Sequence, residues 1–120
     1  MGKRQAAERR GQKAEAICAL RLRFAGYKIL TRNFRCRLGE IDIIAWRRGI
    51  VIFIEVKARE TEAAALEAVT PKQQSRIEAA AQFYLQKYPP RQVDGIRFDV
   101  MTVVPGSLPK HHPDAWRPSI

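Results

Sequence analysis

Residues 39–58 read GEIDIIAWRRGIVIFIEVKA, which is two apolar stretches joined by the pair Arg48-Gly49. β-branched and aromatic residues are frequent in both stretches, and this composition is typical of β-strands. The arginine–glycine pair indicates a tight turn, so the segment predicts a β-hairpin. The second strand is apolar on both faces as far as Val56, which is typical of a strand covered on both sides of its sheet. A carboxylate inside that strand, Glu55, is costly to bury unless another group pairs with it.

The length of the turn decides which side chains face each other across the hairpin. With an even loop such as Arg48-Gly49, Asp42 lies opposite Glu55, whereas an odd loop places Asp42 opposite Ile54 on the other face. The Cβ atoms of opposed residues are about 5 Å apart. Two carboxylates at that distance repel each other by about 3 kcal/mol at an effective dielectric constant of about 20. A divalent cation between them would convert that repulsion into a binding site.

The residue types around this pair favour phosphate chemistry. Oxygen-only ligands suit Mg²⁺ or Mn²⁺ better than zinc. Such an ion polarises a phosphate and lowers the pKa of a bound water. Lys57, two residues beyond Glu55 on the same face, is placed to stabilise negative charge that develops in the transition state.

The rest of the chain predicts two helices and two more strands. Thr70, Pro71 and Gln73 have the signature of a helix N-terminus, and Pro89-Pro90 ends that helix. Residues 60–69 are compatible with either a loop or a loose helical turn. In chain order, we predict a helix over residues 13–25, strands over 27–34, 39–47 and 50–58, the helix that opens at Thr70, and a strand over 96–104. The predicted organisation is a basic N-terminal extension over residues 1–12, one domain over 13–104 and a Pro-rich, extended surface tail over 105–120.

Composition and charge narrow the class of protein. The 120 residues suffice for one domain, and no apolar run is long enough to span a bilayer. No membrane partner is therefore expected. Two cysteines are too few for a disulfide framework, so a reduced, cytoplasmic setting is expected. The formal net charge is +10, and the first 37 residues hold eleven of the 22 basic residues against two acidic ones. Such a surface attracts nucleic-acid phosphates, although solubility alone would also explain it.

Several stretches resemble the YraN-like family of small bacterial proteins, within the PD-(D/E)XK nuclease superfamily. The likeness runs from about Gly11 to Val104, and within the superfamily it is greatest to Holliday-junction resolvases. One departure is that Ile41, rather than proline, precedes Asp42. The matching stretches are Glu15, Gly26-Tyr27 with Arg32-Asn33, residues 39–45 (GEIDIIA), residues 54–59 (IEVKAR) and residues 97–100 (RFDV).

The resemblance implies a restriction endonuclease-like αβββαβ core, a mixed sheet flanked by helices. It also implies that Asp42 and Glu55 are metal ligands and that Lys57 is the catalytic lysine. Glu15 matches a first-helix glutamate that reaches the metal or its water, and Gln73 matches a polar helix residue near the site. Junction resolvases make two symmetry-related cuts, so the likeness further implies a homodimer.

These observations predict a Mg²⁺- or Mn²⁺-dependent endonuclease that acts on DNA, including branched or damaged structures. The alternative is a non-catalytic nucleic-acid-binding module that keeps the nuclease fold. No base-reading motif is evident, so contacts through the phosphate backbone are expected. The side chains predicted to bind nucleic acid are Arg4, Arg9, Arg10, Lys13, Arg32, Arg35 and Arg37.

Simpler structural roles compete for the site residues. The Asp42, Glu55 and Lys57 group is compatible with a structural charge cluster at a sheet end. Glu15 is equally compatible with the boundary of an apolar helix face, and Gln73 with a capping box that involves Thr70.

Other chemistry-bearing residues are expected to be structural. In the even register Glu40 lies opposite Lys57 and could pair with it. The pair His111-His112 is expected in an exposed loop of the tail, and Asp99 is expected to be structural. Trp46 and Phe34 could stack on bases, although packing in or beside the core is the commoner role of such residues.

Overall fold

The computed structural model describes residues 3–118, and side chains from residue 11 onward. It contains three helices and five strands in this described part. In chain order they are α1 (Lys3–Phe24), β1 (Lys28–Cys36), β2 (Gly39–Arg47), β3 (Ile50–Ala58), α2 (Glu62–Glu67), α3 (Pro71–Lys87), β4 (Gly95–Val103) and β5 (Lys110–Trp116).

The strands form one mixed sheet in the order β1-β2-β3-β4-β5. All neighbours are antiparallel except β3 and β4, which are parallel and are connected through α2 and α3. Helix α1 covers one face, where Cys18 and Leu22 pack on Ile52 and Met101. Helix α3 covers the other face, where Ile77 packs with eight other buried residues in the second core cluster, among them Ala80, Ala81, Val51 and Phe53. This architecture confirms the predicted restriction endonuclease-like αβββαβ core.

The hairpin turn has the even length on which the predicted register depends. Arg47 pairs with Ile50, so Arg48 and Gly49 alone form the loop. Both have positive φ, 50° and 85°, as a two-residue hairpin turn of type I′ requires. Glycine tolerates this conformation at no steric cost, whereas arginine adopts it against its preference.

The regular β2–β3 pairing ends at Ile43, which lies opposite Ile54. Regular alternation along a strand would put Ile41 and Ile43 on the same face of the sheet, but they lie on opposite faces. Ile41 packs with Ile44 in the cluster under α3, whereas Ile43 packs under α1. The alternation therefore breaks at Asp42, the residue between them.

The C-terminal segment differs from the expected surface tail. Residues 110–116 are the edge strand β5, which pairs with β4. The prediction that His111-His112 lies in an exposed loop is wrong, because both side chains are half-buried and bonded to acidic partners. Pro113 obscured the strand in the sequence, since proline is tolerated in strands mainly at a sheet edge.

The helical segments also extend further than predicted. Helix α1 begins at Lys3, ten residues before the predicted start. Residues 62–67 form a short helix, capped by Thr61, whose hydroxyl accepts from the Ala64 N–H at 3.1 Å. The predicted start of α3 is confirmed, with Thr70 as N-cap and its hydroxyl accepting from the Gln73 N–H at 3.2 Å.

Gly39 allows α3 to pack closely against the start of β2. A Cβ atom added at Gly39 would lie 2.7 Å from the backbone carbonyl oxygen of Arg76. Because backbone cannot move aside as a flexible side chain does, Gly39→Ala is expected to cost about 1–3 kcal/mol of unfolding free energy. Urea denaturation followed by circular dichroism measures this loss.

Gly11→Ala provides the matched control for the Gly39 substitution. Gly11 lies inside α1 and has no atom within 4 Å of an added Cβ. Alanine there is expected to raise the unfolding free energy by about 0.5–1 kcal/mol through helix propensity. Equal effects of the two substitutions would contradict the close packing inferred at Gly39.

Candidate active site

A pocket of about 500 Å³ lies between the hairpin and the first turns of α3. The strands contribute carboxylates to it, and the helix contributes cationic, polar and apolar side chains. Its lining residues are Glu40, Asp42, Glu55, Thr70, Lys72, Gln73, Arg76 and Ile77.

Asp42 and Glu55 meet where the hairpin ladder ends. Asp42 Oδ2 accepts a hydrogen bond of 2.8 Å from the backbone N–H of Val56, so a side chain replaces the carbonyl acceptor that a continued ladder would provide. The Glu55 side chain is buried, with 6% exposure, and shares a hydrogen bond with the Asp42 carboxyl group. The structure thus brings these two predicted site residues together.

The acidity of Glu55 is strongly perturbed by this setting. Burial, the hydrogen bond with Asp42 and the Asp42 charge raise the pKa of Glu55 to about 9, against an opposing effect of the Lys57 charge. The direction of this shift favours a proton held between the two carboxyl groups, which is what allows them to hydrogen-bond to each other. Loss of that proton would leave two adjacent negative charges.

Glu15 approaches the pair from α1. Its side chain is 9% exposed, and among the described residues Oε1 has no hydrogen-bond partner. Burial and the Asp42 charge raise the pKa of Glu15 to about 7, while the charges of Arg32 and Arg35 lower it. Glu15 also raises the pKa of Glu55 by its charge. The structure therefore places Glu15 within electrostatic reach of the pair, although it does not line the pocket.

Lys57 is half-buried and lies opposite Thr102 of β4 in the parallel register. Its charge opposes the rise in the pKa of Glu55, so its ammonium group is electrostatically coupled to the carboxylate pair. It does not line the pocket itself. A residue with this placement borders the pair and can contribute positive charge to a group bound there.

The two remaining polar candidates have different neighbours. Gln73 lines the pocket and also occupies the third position of α3. Its backbone caps onto Thr70, so a structural and a functional role are both compatible with its position. Glu40 does not pair with Lys57: its carboxylate lies 3.6 Å from Arg35, with both side chains exposed.

The basic side chains predicted to contact nucleic acid are exposed wherever the structure describes them. Lys13, Arg32, Arg35 and Arg37 are all exposed. Arg32 and Arg35 also act electrostatically on Glu15, so positive charge borders the acidic site. Arg4, Arg9 and Arg10 lie in the N-terminal half of α1, and their side chains are outside the described part of the molecule.

The carboxylate pair offers the oxygen donors that a divalent cation such as Mg²⁺ takes. In the described residues no cluster of three or more His, Cys, Asp and Glu side chains is arranged as a metal centre. Mg²⁺, however, is commonly held by one or two carboxylates together with water and substrate phosphates. Burial and neighbouring acidic charge raise the pKa values of Glu55 and Glu15, so neither carboxyl group has enough positive charge beside it to ionise readily, and a bound cation would supply that charge.

A second polar cluster on β4 and β5 was not predicted from the sequence. Fully buried Asp99 accepts hydrogen bonds from Arg97 Nε at 2.8 Å and Nη2 at 2.7 Å, and from the Asp114 N–H at 2.9 Å. His111 Nε2 lies 2.6 Å from Asp99 Oδ2. The sequence signal available was Arg97 two residues before Asp99, on one face of a buried strand.

The other face of β5 carries a matching contact. His112 Nε2 and the Thr102 hydroxyl each lie 2.6 Å from Glu62 Oε1. The expectation that Asp99 is structural agrees with its saturated hydrogen bonding. Trp46 and Phe34 pack against the core cluster under α3, and Trp46 Nε1 donates to the Gln92 carbonyl at 2.8 Å.

Among the residues that the structure describes, no helix is long and apolar enough to cross a membrane.

Comparisons with known proteins identify relatives over nearly the whole chain. Residues 14–103 match the model of the uncharacterised protein family UPF0102. A UPF0102 protein of Paramagnetospirillum magneticum is 46% identical over 117 residues, covering 94% of this chain and 91% of its own. A relative in Rhodopseudomonas palustris is 47% identical over 113 residues, covering 94% and 87%. A third, in Brucella canis, is 47% identical over 104 residues, covering 87% and 82%.

Proposed function

For this chain, which belongs to the uncharacterised protein family UPF0102, we propose the activity of a metal-dependent endonuclease. It would hydrolyse phosphodiester bonds in DNA, including branched or damaged DNA. The family membership confirms the resemblance to YraN-like proteins that the sequence indicates.

One observation carries the proposal: two neighbouring acidic side chains line a pocket that also holds two cationic side chains. A buried pair of acids costs free energy unless a function requires it. Asp42 and Glu55 form that pair, and Lys72 and Arg76 are the cations. Opposite charges on facing walls suit a ligand that combines a metal cation with a phosphate anion.

The chain's own residues have distinct roles in this proposal. Asp42 and Glu55 would hold the ion, with the Glu15 carboxylate behind them, and the Val56 N–H fixes the orientation of Asp42. Bound Mg²⁺ or Mn²⁺ would polarise the phosphate and lower the pKa of a water molecule. Lys57 would stabilise negative charge on the phosphate oxygens as the P–O bond breaks.

The proposed partner is DNA, contacted mainly through its phosphates. The exposed basic residues on α1 and β1 supply positive charge, and Arg35 of β1 lies 3.6 Å from Glu40 in the pocket lining. Backbone contacts carry no sequence information. Paired cuts at a branched junction require two sites related by symmetry, so a homodimer is part of the proposal.

Activity assays on the wild type and Lys57→Ala test the proposal. Both proteins are incubated with Mg²⁺ or Mn²⁺ on linear, nicked and four-way DNA. Removal of one preorganised positive group is expected to lower the cleavage rate by about 10²–10³-fold. Thermal unfolding checks that the variant remains folded.

Two other results of this assay would change the conclusion. Equally inert proteins on every substrate would contradict the endonuclease proposal and leave a nucleic-acid-binding module with the nuclease fold. Equal activity in the two proteins would indicate a contaminating nuclease. Lys87→Ala serves as the control for loss of one positive charge, because Lys87 lies at the far end of α3 and does not line the pocket.

A further inference from the structure

Two cationic side chains form the wall of the pocket that faces the carboxylates. Lys72 and Arg76 are four residues apart on α3, so they lie on one face of the helix, about 6 Å apart along its axis. Both are exposed and both line the pocket that contains Asp42 and Glu55. Neither belongs to the predicted catalytic group or to the basic N-terminal third.

These cations are available to a ligand. Within residues 11–118, whose side chains the structure describes, neither Lys72 nor Arg76 forms an ion pair with an acidic residue. By contrast, Arg35 pairs with Glu40, and Arg97 and Arg117 pair with aspartates. Free cations beside a carboxylate pair keep the pocket accessible to an anion, which the acids alone would repel.

The packing of α3 against the start of β2 fixes the position of Lys72 and Arg76, the cationic wall of the pocket. The backbone of Arg76 lies against Gly39, so close that an added Cβ would be 2.7 Å from its carbonyl oxygen. Gly39 directly precedes the segment that carries Glu40 and Asp42. The helix turn with Arg76 is therefore held at a set distance from the acidic strand.

We propose that Lys72 and Arg76 form a phosphate subsite, which holds a backbone phosphate of DNA next to the bond that is cut. The inference rests on the proposed function for the chemistry of the ligand. Arginine binds phosphate through a planar fork of N–H groups, and lysine binds it as a point charge. The two are positioning residues: they orient the strand, and the carboxylate pair with Lys57 contacts the bond that reacts.

The subsite predicts how binding depends on salt. Each phosphate that a cation neutralises contributes about one to the slope of log affinity against log salt concentration. Because the two cations share one phosphate, Lys72→Ala and Arg76→Ala are each expected to reduce this slope by at most about one, and to weaken binding several-fold by the same factor for every DNA sequence. Arg76→Lys is expected to restore most of the slope, because it keeps the charge.

The experiment measures the binding of a fluorescently labelled DNA duplex by anisotropy at a series of KCl concentrations in EDTA. The proteins are the wild type, Lys72→Ala, Arg76→Ala, Arg76→Lys and the control Lys87→Ala. Lys87 lies on the same helix but away from the pocket, with its ammonium 5.6 Å from the ring centroids of Phe83 and Tyr88. The same proteins are assayed for cleavage with Mn²⁺, where the pocket variants are expected to raise KM with little change in kcat.

The outcomes separate this inference from the proposed function. If the pocket variants and Lys87→Ala change the slope equally, or not at all, the subsite is wrong even when the wild type cleaves DNA. If only the pocket variants lower the slope while the wild type fails to cleave, the subsite stands and the endonuclease proposal does not. A slope that Arg76→Lys fails to restore would also contradict a role based on charge.

Discussion

Glu55→Gln is expected to make the metal-free protein more stable at pH 7 while it removes metal-dependent cleavage. The glutamine keeps the size of the side chain and can still hydrogen-bond to Asp42. It cannot ionise, so it also lacks the negative charge that a divalent cation requires. We expect the cleavage rate to fall by at least about 10³-fold, which corresponds to about 4 kcal/mol of lost transition-state stabilisation.

The stabilisation follows from the sign of the pKa shift. In the folded protein the pKa of Glu55 is raised from 4.5 to about 9 by burial and by Asp42. Between these two values the folded state binds more protons than the unfolded state, so stability falls as the pH rises. At pH 7 this linkage costs about 3 kcal/mol, taking about 1.4 kcal/mol per pH unit above 4.5. Glutamine removes that cost.

Chemical denaturation in EDTA at pH 5, 7 and 8.5 measures the effect. The wild type is expected to lose stability across this range relative to Glu55→Gln, and the two should differ least at pH 5. The control is Glu40→Gln, because Glu40 is exposed and its ion pair with Arg35 contributes at most about 1 kcal/mol. A Glu55→Gln protein that is less stable than the wild type at every pH would contradict the stability cost inferred from the raised pKa of Glu55.

Metal binding should reverse the order of stability. A ligand that binds only the folded state stabilises it by RT ln(1 + [L]/Kd). Mn²⁺ at about 1,000 times its Kd would therefore stabilise the wild type by about 4.1 kcal/mol and leave Glu55→Gln unchanged, which exceeds the advantage of about 3 kcal/mol that the variant has without metal. An equal rise in melting temperature in both proteins would show that the ion binds elsewhere. Glu55 would thus lower the stability of the metal-free protein and in return provide the charge that binds the metal.

The hairpin and its acidic pair could be predicted because their signals are local. Two apolar stretches and a two-residue turn fix the register as far as Ile43 opposite Ile54, which brings the next residues, Asp42 and Glu55, close together. The capped start of α3 is equally local, since Thr70, Pro71 and Gln73 lie within four residues. These features depend on short-range geometry, which alternation and capping rules describe well.

What the sequence did not indicate depends on contacts between distant segments. The break in alternation at Asp42 appears only when Ile41 and Ile43 are seen to pack under different helices. The cationic wall of the pocket requires α3 to face β2 across Gly39. Strand β5 carries few apolar residues, so its pairing with β4 depends on Asp99 and Glu62, which lie far from it in the chain.

Asp99→Asn is expected to be the most destabilising single substitution considered for this protein. Burial alone would raise the pKa of Asp99, but hydrogen bonds from Arg97, His111 and the Asp114 N–H more than offset it and hold that pKa below its ordinary value. The substitution leaves the Arg97 charge without its counter-ion and points an amide N–H₂ group at other donors. Removing one partner of a buried ion pair typically costs about 3–5 kcal/mol, or roughly 10–20 °C in melting temperature for a domain of this size.

The control is Asp114→Asn, which removes an exposed ion pair with Arg117 of 2.9 Å and keeps the backbone N–H that Asp99 accepts. Asparagine tolerates the positive φ of 53° at this position, so the expected cost is at most about 1 kcal/mol. Because the pKa of Asp99 is lowered, its contribution is fully present above pH 3.8 and is lost as the pH falls through the folded-state value. The difference between wild type and Asp99→Asn should therefore be constant near neutrality and shrink in acid.

Hydrogen exchange then tests where the destabilisation acts. Asp99 is the buried acceptor that joins β4 to the edge strand, through His111 on β5 and the Asp114 N–H. Its loss is expected to release the amides of β5 from protection before those of β2 and β3, since edge strands open more readily than the core. No residue of β5 lines the acidic pocket, so binding of Mn²⁺ should persist well below the lowered melting temperature. A variant in which β3 loses protection together with β5 would show instead that Asp99 supports the whole sheet, and with it the site.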